Sequence, residues 1–77
     1  MRLVDAVYKR IMDFAKEKSM SVNALANLCG VPRPTIVTMP RSTTVKLATI
    51  YAICDGLNIT LKDFFDSPLF AQENITD

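Results

Sequence analysis

Ser21-Val-Asn-Ala-Leu-Ala-Asn-Leu-Cys-Gly-Val-Pro-Arg-Pro-Thr-Ile-Val-Thr-Met39 is the stretch whose reading decides the fold. Ala26 lies four residues before Gly30, Val31 follows the glycine, and Ile36 and Met39 come next at helical spacing. Ser21 is a good N-cap for a helix. Met20 before it and Leu25 within the helix are placed to form a hydrophobic staple. Leu25, Leu28 and Cys29 are expected to face inward. Gly30 ends this helix, because glycine tolerates the left-handed conformation of a helix stop. A short helix follows, from about Pro34 to Met39. Proline disfavours helical geometry in the residue before it, so Arg33 is expected to be extended or capping. Pro34 suits the first helical position, and Pro40 limits the far end. Ile36 and Met39 point to the core, which leaves Thr35, Val37 and Thr38 outward.

Two short helices joined by a tight turn are the layout of a helix-turn-helix, which places its second helix in the major groove of DNA. The crossing point on the first helix must be small, and Ala26 supplies that. The turn needs positive φ, and Gly30 supplies it. Leu25, Val31, Ile36 and Met39 fill the wedge between the helices.

The flanking segments extend the pattern. Leu3, Val4, Val7, Ile11, Phe14 and Ala15 recur at three- and four-residue spacing, predicting a first helix from about Leu3 to Lys18 with one buried stripe. Lys9, Arg10, Asp13 and Lys16 fall off that stripe and read as a solvated face, with phosphate contacts as the alternative for Lys9, Arg10 and Lys16. After a loop at Arg41 to Thr43, Thr44 caps a fourth helix with Leu47, Ile50, Ile53 and Cys54 buried and Tyr51 at the margin. Gly56 is expected to close it, with Leu57 packing back. Thr60 and Asp63 form a capping-box-like pair, and Ile59 and Phe64 a second staple, for a fifth helix at about Leu61 to Phe65. No segment alternates as a strand, so the class is all-α. Residues 1–70 read as one domain and residues 71–77 as a short tail. Leu69 and Phe70 have two readings, cover for the core or a dimer contact.

Bulk properties narrow the function. A chain of 77 residues with 49% hydrophobic content makes one compact core and has no room for a deep substrate cleft. The net charge is +1, so affinity for nucleic acid has to come from uneven placement of nine basic residues. Arg2, Lys9, Arg10, Lys16 and Lys18 crowd the first helix. Arg33, Arg41 and Lys46 fall in or after the motif. Asp55, Asp63, Asp66, Glu73 and Asp77 lie in the last third, so the chain is basic early and acidic late. Two cysteines and no histidine do not make a tetrahedral zinc site, so no metal or other cofactor is expected. Cys29 and Cys54 read as buried reduced thiols, with a disulfide as the alternative. Asp63 is a cap residue rather than half of an acid–base pair with Asp66. There is no nucleophile–base pair or phosphate-binding glycine loop, and an enzyme is not expected. The longest apolar stretch, Leu47 to Cys54, is far below the roughly 20 residues of a membrane span. No signal peptide is visible, so a cytoplasmic protein is expected, and Asn58-Ile-Thr60 and Asn74-Ile-Thr76 are chance matches to a glycosylation signal.

Met20-Ser-Val-Asn-Ala-Leu-Ala26 with Gly30-Val31, and Ile50-Tyr-Ala-Ile-Cys-Asp-Gly-Leu-Asn-Ile-Thr-Leu-Lys-Asp-Phe-Phe65, resemble the phage repressor and Cro (XRE) family over roughly Val4 to Phe65. The resemblance implies a five-helix, lambda-repressor-like globule that binds double-stranded operator DNA, commonly as a homodimer, and regulates transcription. Carried over by position, the base-reading places fall on Arg33, Pro34, Val37 and Thr38. Thr35 falls where a small hydroxyl residue holds a phosphate. Ser21 and Asn23 fall where the DNA backbone is anchored, and Arg41, Ser42, Thr43 and Lys46 lie in a loop that meets phosphates. Arg33 also reads as a solvated turn residue.

This chain departs from the family in a short recognition helix with an apolar outer face. Pro34, Val37 and the Thr38 methyl suit thymine methyl groups, and only Arg33 suits a bidentate guanine contact. Weak base reading, or reliance on DNA shape, is expected. The alternative is a protein-interaction module on the same fold, an antitoxin or accessory subunit with a protein partner, whose contact would use Pro34, Val37, Thr38, Leu69 and Phe70.

Overall fold

A computed structural model describes residues 1–77. It is all-helical, with α1 at Leu3–Glu17, α2 at Val22–Cys29, α3 at Arg33–Val37, α4 at Leu47–Leu57 and α5 at Leu61–Phe65. Short 3-10 turns occupy Met39–Arg41, Pro68–Phe70 and Gln72–Asn74. Val7, Ile11, Leu25, Ile36, Ile53 and Phe64 are fully enclosed and form the centre of one apolar core, to which every helix contributes. No buried side-chain polar atom lacks a partner. No helix is long and apolar enough to cross a membrane.

The N-caps follow local chemistry. The Ala24 N–H donates to Ser21 Oγ at 3.0 Å, which satisfies one of the orphan donors of α2. At α5 both halves of a capping box form: Asp63 N–H donates to Thr60 Oγ1 and Thr60 N–H donates to Asp63 Oδ2. Met20 and Ile59, the residues before these caps, pack against the core that holds Leu25 and Phe64.

Three helices end in one kind of stop. Ser19, Gly30 and Asn58 hold φ of 54°, 67° and 58°. The next residue in each case donates its N–H back across the last turn: Met20 to Ala15 O, Val31 to Ala26 O and Ile59 to Cys54 O. This is the Schellman arrangement, and each of the three donors is an apolar residue landing on the core.

The structure corrects several expectations. The stop of α4 is at Asn58 and Ile59, and Gly56 lies inside the helix. Gly56 serves close approach instead: a Cβ there would sit 2.6 Å from Cys29 Sγ and 2.7 Å from Cys29 Cα. Leu28 is 52% exposed, because α2 meets its neighbours through Leu25, Ala26 and Cys29 and leaves Leu28 at the rim. Leu3 and Leu47 are also exposed, each at the first position of its helix, whereas Ala6 is fully buried. An apolar stripe reports which side of a helix is greasy, not how far its neighbours reach along it. Lys46, not Thr44, stands at the N-cap of α4 and makes no side-chain cap.

Arg10 is another correction. It is not a solvated cation: its guanidinium donates to Phe64 O at 2.7 Å and Asp63 O at 2.8 Å, and lies 4.3 Å from the centre of the Phe14 ring. It satisfies carbonyls at the end of α5, where a positive charge suits the helix dipole. Phe70 packs against the core and meets the rings of Phe64 and Phe65, so it is cover for the interior. Residues 71–77 lie along the start of α1: Thr76 N–H donates to Met1 O, and Leu3 N–H donates to Asp77 Oδ1.

Candidate nucleic-acid interface

The α2–α3 unit sets the geometry. Gly30 turns the chain, Val31 returns to the core, and Pro32 takes the N-cap of α3. Arg33 is helical, one residue earlier than expected, although Pro34 follows it. The missing N–H of Pro34 costs nothing at the second position, where that donor has no intrahelical partner, and Thr35 N–H donates to Pro32 O. The α-helix ends at Val37 rather than Met39, so α3 is only about 7.5 Å long at the usual rise. Pro40 supplies no N–H to continue the helical ladder. The chain continues as the tighter Met39–Arg41 turn, closed by Arg41 N–H to Thr38 O and Ser42 N–H to Met39 O.

Ile36 and Met39 are buried and hold this unit to the core. Arg33, Pro34, Thr35, Val37 and Thr38 all lie exposed on its outer side. The Thr38 hydroxyl donates to Pro34 O at 2.6 Å, so it spends its hydrogen within the helix. Ser21 and Asn23 are exposed at the start of α2. Ser21 Oγ accepts from Ala24 N–H and keeps its own hydrogen available to an acceptor. Arg41, Thr43 and Lys46 are exposed. Ser42 is half-buried, and its hydroxyl is engaged in a local turn, donating to Thr44 O and accepting from Thr44 N–H.

A cleft of about 600 Å³ opens between α3 and the start of α4. It brings together Thr35, Thr38, Ser42 and Lys46 of the expected residues. Ser21, Asn23, Arg33, Pro34, Val37, Arg41 and Thr43 do not line it. Thr44 and Thr49 do, and sequence reading assigned neither a place there; their polarity at the loop and on the first turn of α4 was the available signal. The N–H groups of Leu47 and Ala48 at this end of α4 make no hydrogen bond within the protein.

The segment from Lys18 to Cys54, which builds this side, carries charge of one sign only. No Asp or Glu occurs between Glu17 and Asp55. The two ion pairs of the protein, Arg2–Asp5 and Lys9–Asp13, involve neither Arg33, Arg41 nor Lys46. Elsewhere, Asp5 is held below the usual carboxylate range by its hydrogen bond from Arg2, and Asp63 by the Thr60 N–H. Burial pushes the thiols of Cys29 and Cys54 up, which favours their protonated form. Both cysteines are free. No group of acidic, cysteine or histidine side chains is gathered as a metal site.

A small core-anchored pair of helices joined through a left-handed glycine, with an exposed second helix, defines a helix-turn-helix protein. The Cro/C1-type HTH DNA-binding domain family matches residues 10–68, and the chain belongs to that family. No curated protein and no solved structure matches the chain.

Proposed function

We propose that this protein is a DNA-binding transcriptional regulator that sets α3 into the major groove of double-stranded DNA. The observation that carries the reading is the acid-free segment from Lys18 to Cys54, which holds α2, α3 and the loop after it. Arg33, Arg41 and Lys46 stand there unpaired and exposed, on a fold whose family binds DNA. Arg33, Pro34, Val37 and Thr38 face base edges. Arg33 is the donor for a guanine, and Pro34 and Val37 are surfaces for thymine methyl groups. Ser21, Asn23, Thr35, Arg41, Thr43 and Lys46 face phosphates, with Ser42 holding the loop in shape. The free N–H groups at the start of α4, beside Lys46, suit an anionic oxygen.

The test is binding to mixed-sequence duplex DNA across a salt series, followed by selection from random oligonucleotides. Affinity that falls steeply with salt is the expected result. No binding even at low salt would overturn the reading. With so short a reading helix, the selected sites should share few fixed positions.

A second reading, a protein-interaction module on the same fold, is favoured by one observation. Leu47 and Tyr51, one turn apart on α4, are 63% and 59% exposed. Phe70 no longer supports this reading, since it covers the core. A second copy of the chain or a separate protein would cover the α4 face. Sedimentation of the wild type and of Tyr51→Glu tests this: an assembly that Tyr51→Glu dissolves supports it, and a monomer with tight DNA binding removes it.

A further inference from the structure

The loop between α3 and α4 carries three of the residues assigned to phosphate, Arg41, Thr43 and Lys46, with Ser42 shaping it, and Val45 is its one side chain packed on the core. Its own hydrogen bonds are local turns, and the N–H groups of Thr43, Val45 and Lys46 donate to nothing within the protein. One side chain ties it by hydrogen bonds to another part of the molecule. Arg2, at the N-cap of α1, donates from Nη2 to Pro40 O at 2.6 Å and from Nη1 to Ser42 O at 3.3 Å. The same guanidinium is gripped from its other side by Asp5, through Nε to Oδ2 at 2.9 Å and Nη2 to Oδ1 at 3.0 Å.

We propose that Arg2 is a positioning residue for DNA binding: steered by Asp5, it sets the Pro40–Ser42 turn, and with it the loop from Arg41 to Lys46, at a fixed place beside α3. The inference rests on the DNA-binding reading above. The chemistry requires arginine. A planar fork with five donors can satisfy a carboxylate on one edge and two carbonyls on the other, whereas an ammonium is a point charge without that fixed geometry. The loop's own N–H groups at Thr43, Val45 and Lys46 reach no acceptor in the protein, so the hydrogen bonds that fix its place come from Arg2 to the Pro40 and Ser42 carbonyls. A loop already in place loses less freedom when it meets the phosphates. Arg2 counts as basic in composition, but its charge is balanced by Asp5 and four of its five donors are spent on the protein.

The test compares Arg2→Ala, Arg2→Lys and Asp5→Asn in the full chain, using duplex DNA over a salt series and amide exchange without DNA. A positioning Arg2 predicts that Arg2→Ala weakens binding by at least about ten-fold, the effect of losing charge-assisted hydrogen bonds. The salt slope should fall by more than the roughly 0.9 that one phosphate contributes. Arg2→Lys should recover only part. Asp5→Asn is the decisive variant, because it removes a negative charge from the protein yet releases the guanidinium from its carboxylate. It should weaken binding. Tighter binding by Asp5→Asn, with a slope loss of about 0.9 in Arg2→Ala, would make Arg2 a phosphate contact and overturn the proposal. So would unchanged affinity in both variants.

Amide exchange separates this inference from the DNA-binding reading. The Arg41, Ser42 and Thr44 amides should exchange faster in Arg2→Ala and Asp5→Asn, while those of α2 and α4 do not change. Faster exchange in the variants, together with a wild type that binds no DNA, would end the DNA-binding reading and leave Arg2 as the holder of the loop. Equal exchange in wild type and variants would overturn the positioning role whatever the DNA result. Should Arg2→Ala fail to fold by circular dichroism, Arg2→Lys and Asp5→Asn give the same comparisons.

Discussion

The Sγ of Cys29 occupies the place where a methyl group on Gly56 would go. A Cβ there would fall 2.6 Å from that sulfur and 2.7 Å from the Cys29 Cα. The contact brings α2 and α4 together backbone to backbone, and the sulfur also donates to Ile53 O at 3.6 Å. Gly56→Ala should therefore destabilise the protein by about 1–3 kcal/mol, the cost of overpacking. It should do so even though alanine is favoured over glycine in a helix by about 1 kcal/mol. Cys29→Ala should not rescue it, because the Cα clash persists. Urea denaturation of the single and double variants measures this, and a more stable Gly56→Ala would show that the helices can part at no cost.

Ser21 has a structural duty and a proposed DNA duty that can be separated. Ser21→Ala removes the cap of α2 and should cost about 1 kcal/mol of stability together with DNA affinity. Ser21→Asp keeps a good cap but turns a carboxylate toward the phosphates. It should retain the melting temperature and lose affinity, most strongly at low salt. Equal DNA affinity for Ser21→Asp and wild type would place Ser21 away from the DNA backbone.

Arg33 and Lys46 are expected to fail in different ways. Arg33→Ala should reduce discrimination between a selected site and random DNA, by about 1–3 kcal/mol if the contact is bidentate to guanine. Lys46→Ala should weaken all sites alike and lower the salt slope by about 1. A Lys46→Ala slope equal to that of wild type removes Lys46 from the phosphate set.

The capping box at α5 gives a pH dependence of known sign. The Asp63 carboxylate accepts from the Thr60 N–H and titrates below its ordinary range. A group with a depressed folded pKa contributes stability above its unfolded value, about 3.9, and that contribution is lost as pH falls through the folded value. Asp5, held down by Arg2, behaves in the same direction. Thermal melts between pH 7 and pH 3 should show wild type and Asp63→Asn converging as the pH drops, with Asp63→Asn less stable at neutral pH. Parallel curves would mean that the carboxylate contributes nothing as an anion.

Features decided within a few residues were legible in the sequence. Ser21, Gly30 and the Thr60–Asp63 pair act on backbone one turn away, and their roles followed from residue type. Leu28 and Gly56 were misread because their burial depends on which helix crosses which, and at what distance. Asn58 was overlooked because a glycine two residues earlier resembled the stop. In the candidate site, the exposed face of α3 was legible from helical spacing. The hold of Arg2 on Pro40 was not, since 38 residues separate them and no local pattern links them. The role of Arg10 is hidden from local pattern for a similar reason: its carbonyl partners lie more than 50 residues away.

The shared stop at Ser19, Gly30 and Asn58 bears on cooperativity. In many proteins the last turn of a helix frays on its own, at little free-energy cost. Here Met20, Val31 and Ile59 bolt the ends of α1, α2 and α4 to one apolar centre, so undoing any of these turns disturbs the interior that all three share. The protein should melt in a single transition, with the terminal amides of these helices opening only when the whole domain does.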